Sequence, residues 1–91
     1  MLKWSYQSVK DLKSILEYIA KDDIEASNKM AMIFYSNIEN IGKFPKIGMK
    51  GRVKNTREFF IPKYPYVIVY LEDNCNIVIL RILHAHRKYP V

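Results

Sequence analysis

A cluster of positive charge is the most informative chemical feature of this chain of 91 residues. Residues 43 to 63 contain seven lysines and arginines against one acid, Glu58, and this balance of +6 equals the formal net charge of the whole chain. Such a concentrated field attracts phosphate backbones or strongly acidic protein segments, and added salt weakens the attraction. We therefore expect these residues to face a polyanion. The candidate binding residues in this segment are Lys50, Arg52, Lys54 and Arg57.

The stretch from residue 81 to residue 90 is the second group of side chains with useful chemistry. It holds Arg81, His84, His86, Arg87 and Tyr89. Imidazole groups titrate near neutral pH, whereas an arginine at a strand end can simply cover a sheet edge with its alkyl stem. His84 would end an apolar strand, where a structural role is a real alternative. His86 and Arg87 lie beyond the strand, which favours a binding role.

Two amphipathic helices are predicted in the first half of the chain, after a short strand over residues 2 to 6. In the first helix apolar residues recur every three or four positions, and Ser8 with Asp11 is expected to cap its start. The second helix is expected to open at Asp22 and to end at Gly42. The two helices would form a helical hairpin.

The second half of the chain changes to strand-forming sequence. Strands are predicted within residues 53 to 61, over residues 66 to 71 and over residues 76 to 83. The resulting order, β-α-α-β-β-β, predicts an α+β fold in which the helical hairpin packs on one face of a mainly antiparallel sheet. Because side chains alternate along a strand, we expect one face of the last strand to carry Val78, Leu80, Ile82 and His84.

Composition limits the chain to one globular domain over residues 1 to 91. Apolar residues make up 49% and charged residues 26%, which is typical of a folded protein. There is no long uncharged apolar run and no apolar signal region, so we expect a cytoplasmic protein. Cys75 cannot form an internal disulfide, and we interpret it as structural. No cofactor or metal is expected, because two histidines without further ligands do not make a closed zinc site.

Five blocks of sequence together resemble one family, the RelE/ParE toxins of bacterial type II toxin–antitoxin modules. The blocks are DLKSILEYIA (11–20), FPKIG (44–48), TRE (56–58), YVIVY (66–70) and LRILH (80–84). They occur in the family's order and cover nearly the whole chain, and the family fold agrees with the predicted β-α-α-β-β-β order. The resemblance implies a small toxin that is neutralised by a cognate antitoxin and reaches operator DNA only through it.

The first hypothesis for the activity is that of RelE-like members, which cleave messenger RNA on the ribosome and so stop translation. Cleavage by the neighbouring 2′-hydroxyl needs a proton acceptor, cations around the phosphorane and an acid for the leaving oxygen. His84 and His86 are candidates for the acid and base roles, and Tyr89 for stacking or proton donation. Arg81 and the arginines of the basic segment are candidates for stabilising the phosphate.

The second hypothesis is that of ParE-like members, which inhibit DNA gyrase and are not enzymes. The sequence from Arg81 to His84 looks like the end of the last strand in ParE-type chains, whereas RelE-type chains end without this histidine. The related YoeB and HigB ribonucleases do place a histidine near the C-terminus, so both hypotheses stand. The third is a toxin fold that only binds its antitoxin, because fold alone does not determine activity.

Overall fold

Two helices pack on one face of a five-stranded sheet in the computed structural model, which describes residues 1–74 and 76–91. The α+β architecture predicted from the sequence is confirmed, with one additional short strand. The helices are α1 (Tyr6–Ala20) and α2 (Ile24–Lys43). The strands are β1 (Leu2–Trp4), β2 (Met49–Lys50), β3 (Thr56–Phe60), β4 (Tyr66–Asp73) and β5 (Asn76–His84).

The sheet has the strand order β1-β5-β4-β3-β2. The first strand runs parallel to the last, with Leu2 opposite Ile77, and the other neighbouring pairs are antiparallel. The long apolar strands β4 and β5 therefore occupy the interior of the sheet, and the short strands lie at its two edges. This order places the start of α1 beside the C-terminal half of β5.

The sheet is covered on both faces, although unequally. The main core lies between the helices and the sheet, where Phe34 and Ile41 of α2 pack with Ile68 and Tyr70 of β4. The opposite face, which we call the open face, has a small buried cluster of Val67, Val69 and Leu83, with Tyr89 packed against it. Burial on both sides explains why β4 is a continuous apolar run and not an alternating one.

A β-bulge in β5 makes the predicted alternation of that strand wrong. Val69 pairs with Arg81 and Tyr70 pairs with Ile79, so Leu80 is an extra residue without a cross-strand partner in the register. One extra residue moves all later side chains to the other face. Ile82 accordingly packs in the main core with Ile79, and not on the same face as Leu80.

The helix caps also differ from those expected. The N-cap of α1 is Ser5, whose side chain accepts a hydrogen bond from the Ser8 backbone, and Ser8 itself is buried within the first turns. The chain must turn directly after β1, because the Ser5 N–H still bonds to the Ile79 carbonyl of β5. The N-cap of α2 is Asp23, one residue after the expected Asp22. Within the described residues, neither helix combines the length and apolar character needed to span a membrane.

All four predicted strands have limits that differ slightly from the sequence-based ones: β1 ends at Trp4 instead of residue 6, and β4 continues to Asp73 instead of ending at residue 71. Val53 lies in a turn before β3, where its carbonyl accepts a hydrogen bond from the Thr56 N–H, and Asn55 has a φ of 66°. The last strand continues to His84, one residue further than predicted. Cys75, which we interpreted as structural, lies outside the described residues.

Candidate functional site

A basic groove lies on the open face, where the C-terminal segment runs beside β2 and β3. Its cavity has a volume of about 270 Å³. We define the basic groove by the side chains of Lys50, Arg52, Glu58, Phe60, Arg87, Lys88 and Tyr89.

Packing of Tyr89 on the open-face cluster brings the two halves of the basic groove together. Tyr89 contacts the cluster of Val67, Val69 and Leu83, and thereby holds the C-terminal segment against the sheet. The pairing of Glu58 with Val69 and of Phe60 with Val67 puts these β3 side chains on the same face. Two segments separated by about thirty residues thus form one site, which the sequence alone does not show.

The charges of the basic groove are almost all positive. Lys50, Arg52, Arg87 and Lys88 are exposed, and none of the four forms an ion pair with another residue that the structure describes. Glu58 is half-buried among them. Exposed cations without acidic partners can bind phosphates or a strongly acidic surface.

Lys54 and Arg57 line an adjoining cavity of about 320 Å³, the loop cavity, which shares Lys50 with the basic groove. The Arg57 guanidinium is occupied by its own neighbours: Nε lies 3.3 Å from Glu72 Oε1, and Nη1 donates to the Gly48 carbonyl over 2.7 Å. Arg57 therefore supports the turn before β2. A role in target binding stays a prediction.

The turn before β2 is fixed by Tyr70 as well. The buried Tyr70 hydroxyl donates to the Pro45 carbonyl over 2.7 Å and accepts from the Gly48 N–H over 2.9 Å. Burial raises the pKa of Tyr70, so the hydroxyl keeps its proton for this bond. A Cβ at Gly48 would lie 2.8 Å from the same oxygen, and glycine is therefore required here. This turn sets the position of Lys50.

Arg81 is bound by Asp11 of α1. Its Nε lies 2.8 Å from Asp11 Oδ2 and its Nη2 3.1 Å from Oδ1, and Oδ2 also accepts the Ile82 N–H over 3.0 Å. Burial acts to raise the pKa of Asp11, but the hydrogen bonds from Arg81, Gln7 and Ile82 together with the Arg81 charge outweigh it and lower this pKa. The hydrogen bond to Asp11 raises the pKa of Arg81. Phosphate stabilisation by Arg81 stays a prediction, and the observed role is structural.

Neither histidine lines the basic groove. His84 lines a helix-side pocket of about 230 Å³, which we define by Asp11, Ser14, Tyr18, Tyr66, His84 and Arg87. The His84 ring is 5.2 Å from the ring of Tyr66 and 5.6 Å from that of His86. Among the residues that the structure describes, only Arg87 lines both this pocket and the basic groove. Catalytic roles for His84 and His86 stay predictions.

Of the nine site residues predicted from the sequence, Lys54 and Arg57 line the loop cavity, His84 lines the helix-side pocket, and Arg81 and His86 line none of the three cavities. The basic groove contains Lys50, Arg52, Arg87 and Tyr89. The sequence-based prediction missed Lys88 and Phe60. Lys88 could have been selected because it lies between Arg87 and Tyr89, whereas the sequence marks Phe60 only as a strand-forming residue. Among residues 1–74 and 76–91, no three His, Asp or Glu side chains are grouped so that they could hold a metal ion.

Comparison with known proteins supplies the family. The family model for the ParE toxin of the type II toxin–antitoxin system parDE matches residues 2–89. The chain is 30% identical over 89 residues to Y4kP of Sinorhizobium fredii, a candidate toxin by name, covering 98% of this chain and 92% of that protein. It is 27% identical over 84 residues to toxin RelE2 of Caulobacter vibrioides, covering 92% and 93% of the two chains.

A solved structure gives the same fold. A chain of the chromosomal ParDE toxin–antitoxin system from P. aeruginosa superposes with a TM-score of 0.80 at 20% sequence identity. The superposition covers 93% of this chain and 95% of that chain. The family match over nearly the full length and the shared fold agree with the five sequence blocks. The chain belongs to the ParE toxin family of type II toxin–antitoxin systems, within the wider RelE/ParE group.

Proposed function

We propose that this toxin acts as ParE-like members do, by binding a DNA gyrase complex with DNA in the cytoplasm and blocking its turnover. The basic groove would hold the toxin on the anionic part of that complex. The match to the ParE family model supports this choice over RNA cleavage, which was the first hypothesis from the sequence. The single observation that carries it is the separation of most unpaired cations from the histidines: Lys50, Arg52 and Lys88 line the basic groove, which neither histidine lines, and Arg87 is shared with the His84 pocket.

The separation matters because cleavage of RNA needs its catalytic groups around one phosphate. A general base must reach the 2′-hydroxyl at hydrogen-bond distance while cations hold the phosphate oxygens. His84 packs against Tyr66 on the helix-covered side, whereas Arg52 and Lys88 line the basic groove together with Tyr89 of the open face. A site that only binds needs the cations and no proton-transfer group.

We also propose a cognate antitoxin as the partner that neutralises the toxin. An apolar groove of about 480 Å³ between α1 and α2, lined by Trp4, Val9, Leu16 and Tyr35, fits one face of an amphipathic helix. An acidic antitoxin segment would in addition cover part of the basic groove. Co-expression with the adjacent open reading frame should restore growth and stabilise the toxin. If neither effect is seen, the proposal of this partner is wrong.

RNA cleavage is the second candidate, and one observation favours it. Glu58 and Tyr89 line the basic groove together with Arg52. A carboxylate could take the 2′-hydroxyl proton and a phenol could serve the leaving oxygen, without either histidine. Under this mechanism Glu58→Gln would abolish cleavage.

One pair of assays separates the two functions. The purified toxin is added to gyrase with supercoiled DNA and, separately, to ribosomes programmed with messenger RNA. We expect inhibited supercoiling with gyrase-linked DNA breaks, and intact messages. Arg52→Ala should weaken gyrase inhibition by about tenfold or more, whereas Lys29→Ala, an exposed lysine on α2, should not. If messenger RNA is cut and gyrase is unaffected, the gyrase proposal is wrong and the toxin is a ribonuclease.

A further inference from the structure

The basic groove continues on both sides into neighbouring cavities. Lys50 lines both the basic groove and the loop cavity, and Arg87 lines both the basic groove and the helix-side pocket. A cation that lines two cavities can contact a ligand in either one. We call the three cavities, linked through these two side chains, the path; it runs from the β2–β3 loop, across the open face, to the C-terminal end of β5.

A turn after β5 brings the path around the sheet. The Arg87 N–H bonds to the His84 carbonyl over 3.0 Å, and the Ala85 N–H bonds to the Pro65 carbonyl over 2.9 Å. These bonds hold residues 84 to 87 at the sheet end. Arg87 can therefore be reached from both cavities at once.

The path carries positive charge along most of its length. From the loop to the sheet end its unpaired cations are Lys54, Lys50, Arg52, Lys88 and Arg87. The three carboxylates on it differ in effect: Asp11 is neutralised by Arg81 and Glu72 by Arg57, whereas Glu58 stands among four of the cations. The balance favours an extended polyanion as the ligand.

The helix-side pocket adds flat rings to this charge. Tyr66, His84 and His86 form a row with centroid distances of 5.2 and 5.6 Å, and the outer ring, His86, is exposed. Tyr18 is 73% exposed on the α1 side of the pocket. Aromatic rings beside cations suit nucleotides, because bases stack on the rings while phosphates meet the charges. An acidic peptide would make no use of the rings.

We propose that the helix-side pocket is a nucleotide subsite, which holds the end of a single nucleic-acid strand whose preceding phosphates lie in the basic groove. Arg87 binds the phosphate between the two cavities, and a base stacks on His84, His86 or Tyr18. The inference rests on the proposed function in one respect, since gyrase with bound DNA would present such a strand. The expected ligand is a short strand of about four nucleotides, the small end for single-strand binding domains.

Oligonucleotide length tests the subsite directly. Fluorescence anisotropy of the full toxin is measured with labelled oligothymidylates of about three and about six nucleotides. The longer strand should bind at least about tenfold more tightly, because stacking of one or more bases adds about that much to the affinity. The double variant His84→Ala/His86→Ala should lose this length advantage and keep its affinity for the short strand. Arg52→Ala should weaken both strands, and Lys29→Ala neither.

A second variant keeps the test valid where the histidine variant unfolds. Ser14→Phe fills the pocket from α1 while leaving both histidines, and thermal melting shows which variants are folded. Equal affinity for both lengths in the unmodified protein, or an advantage that survives Ser14→Phe, would overturn the subsite. If a polyglutamate peptide of matched charge binds equally tightly, the ligand of this site is an acidic protein and not a nucleic acid. Gyrase inhibition without a length advantage rejects the subsite alone, and a length advantage without gyrase inhibition rejects the proposed function alone.

Discussion

At the scale of single residues, the charged groups that looked alike in the sequence do different work. Arg57 and Arg81 each bind a carboxylate of another element, Glu72 and Asp11, at side-chain exposures of 10 to 19%. Arg52 and Arg87 stay exposed in the basic groove. Arginines of the first kind support the fold, and those of the second kind are available to a target. Loss of toxicity in an Arg57 or Arg81 variant would therefore need a stability measurement beside it.

The Asp11–Arg81 pair makes a prediction about pH. The pKa of Asp11 is lower in the folded chain than in the unfolded chain, so its stabilisation is present above about pH 4 and is lost as pH falls through the folded pKa. We expect Asp11→Asn to lower the free energy of unfolding by about 2 kcal/mol at pH 7, with a smaller difference near pH 3. Urea unfolding at both pH values measures this.

Asp22→Asn is the matched control, because Asp22 is exposed and its side chain has no hydrogen bond or ion pair within the described part of the chain. It should change stability by less than about 0.5 kcal/mol at either pH. If Asp11→Asn lowers the free energy of unfolding by the same amount at pH 7 and pH 3, the ionised carboxylate is not the stabilising form.

At the scale of elements, the turn between α2 and β2 sets the position of one wall of the basic groove. Tyr70 from β4 and Arg57 from β3 both bond to this turn, at Pro45 and Gly48. The edge strand β2 has only two residues and pairs with β3 alone. Its placement therefore depends on the turn more than on its own ladder.

Removing the Tyr70 hydroxyl should loosen this turn. Tyr70→Phe leaves the Gly48 N–H and the Pro45 carbonyl without their buried partner, and we expect the free energy of unfolding to fall by about 1–3 kcal/mol. Hydrogen exchange at the Gly48 amide should become faster by more than the global change in stability. Tyr64→Phe, at a half-buried tyrosine with no hydroxyl bond in the described structure, is the control. Unchanged Gly48 protection would show that the turn is held by other contacts.

At the scale of the whole molecule, the toxin is a charged object whose binding depends on salt. The net charge of +6 equals the balance of residues 43 to 63, and the C-terminal segment adds Arg87 and Lys88 to the same groove. Four unpaired cations in the basic groove can replace condensed counterions on a nucleic-acid strand. The release of those counterions gives a characteristic dependence on salt.

That dependence can be measured. The logarithm of the association constant for a single strand, plotted against the logarithm of salt concentration, should have a slope of about −3 for four phosphate contacts. Arg52→Ala should make the slope shallower by about 0.7, and Lys29→Ala should leave it unchanged. A slope near zero would mean that the basic groove does not contact phosphates.

Local patterns in the sequence were enough to predict the helices, the central strands and the fold class. Helical spacing from Val9 to Ile19 and the apolar run from residue 66 to residue 71 are properties of neighbouring residues, and neighbouring residues decide local structure. The concentration of charge is likewise visible without any fold. These features, with the five blocks, were sufficient to predict the toxin family.

The tertiary structure alone decided which of the candidate residues meet. The bulge at Leu80 depends on how β5 pairs with β4, and it moves Ile82 and His84 to the helix-covered side. Asp11 reaches Arg81 across 70 positions of sequence, where no spacing rule applies. Strand register and long-range ion pairs are fixed by packing and hydrogen bonding between distant segments, so the placement of His84 in a different cavity from Lys50 and Arg52 could be learned only from the folded chain.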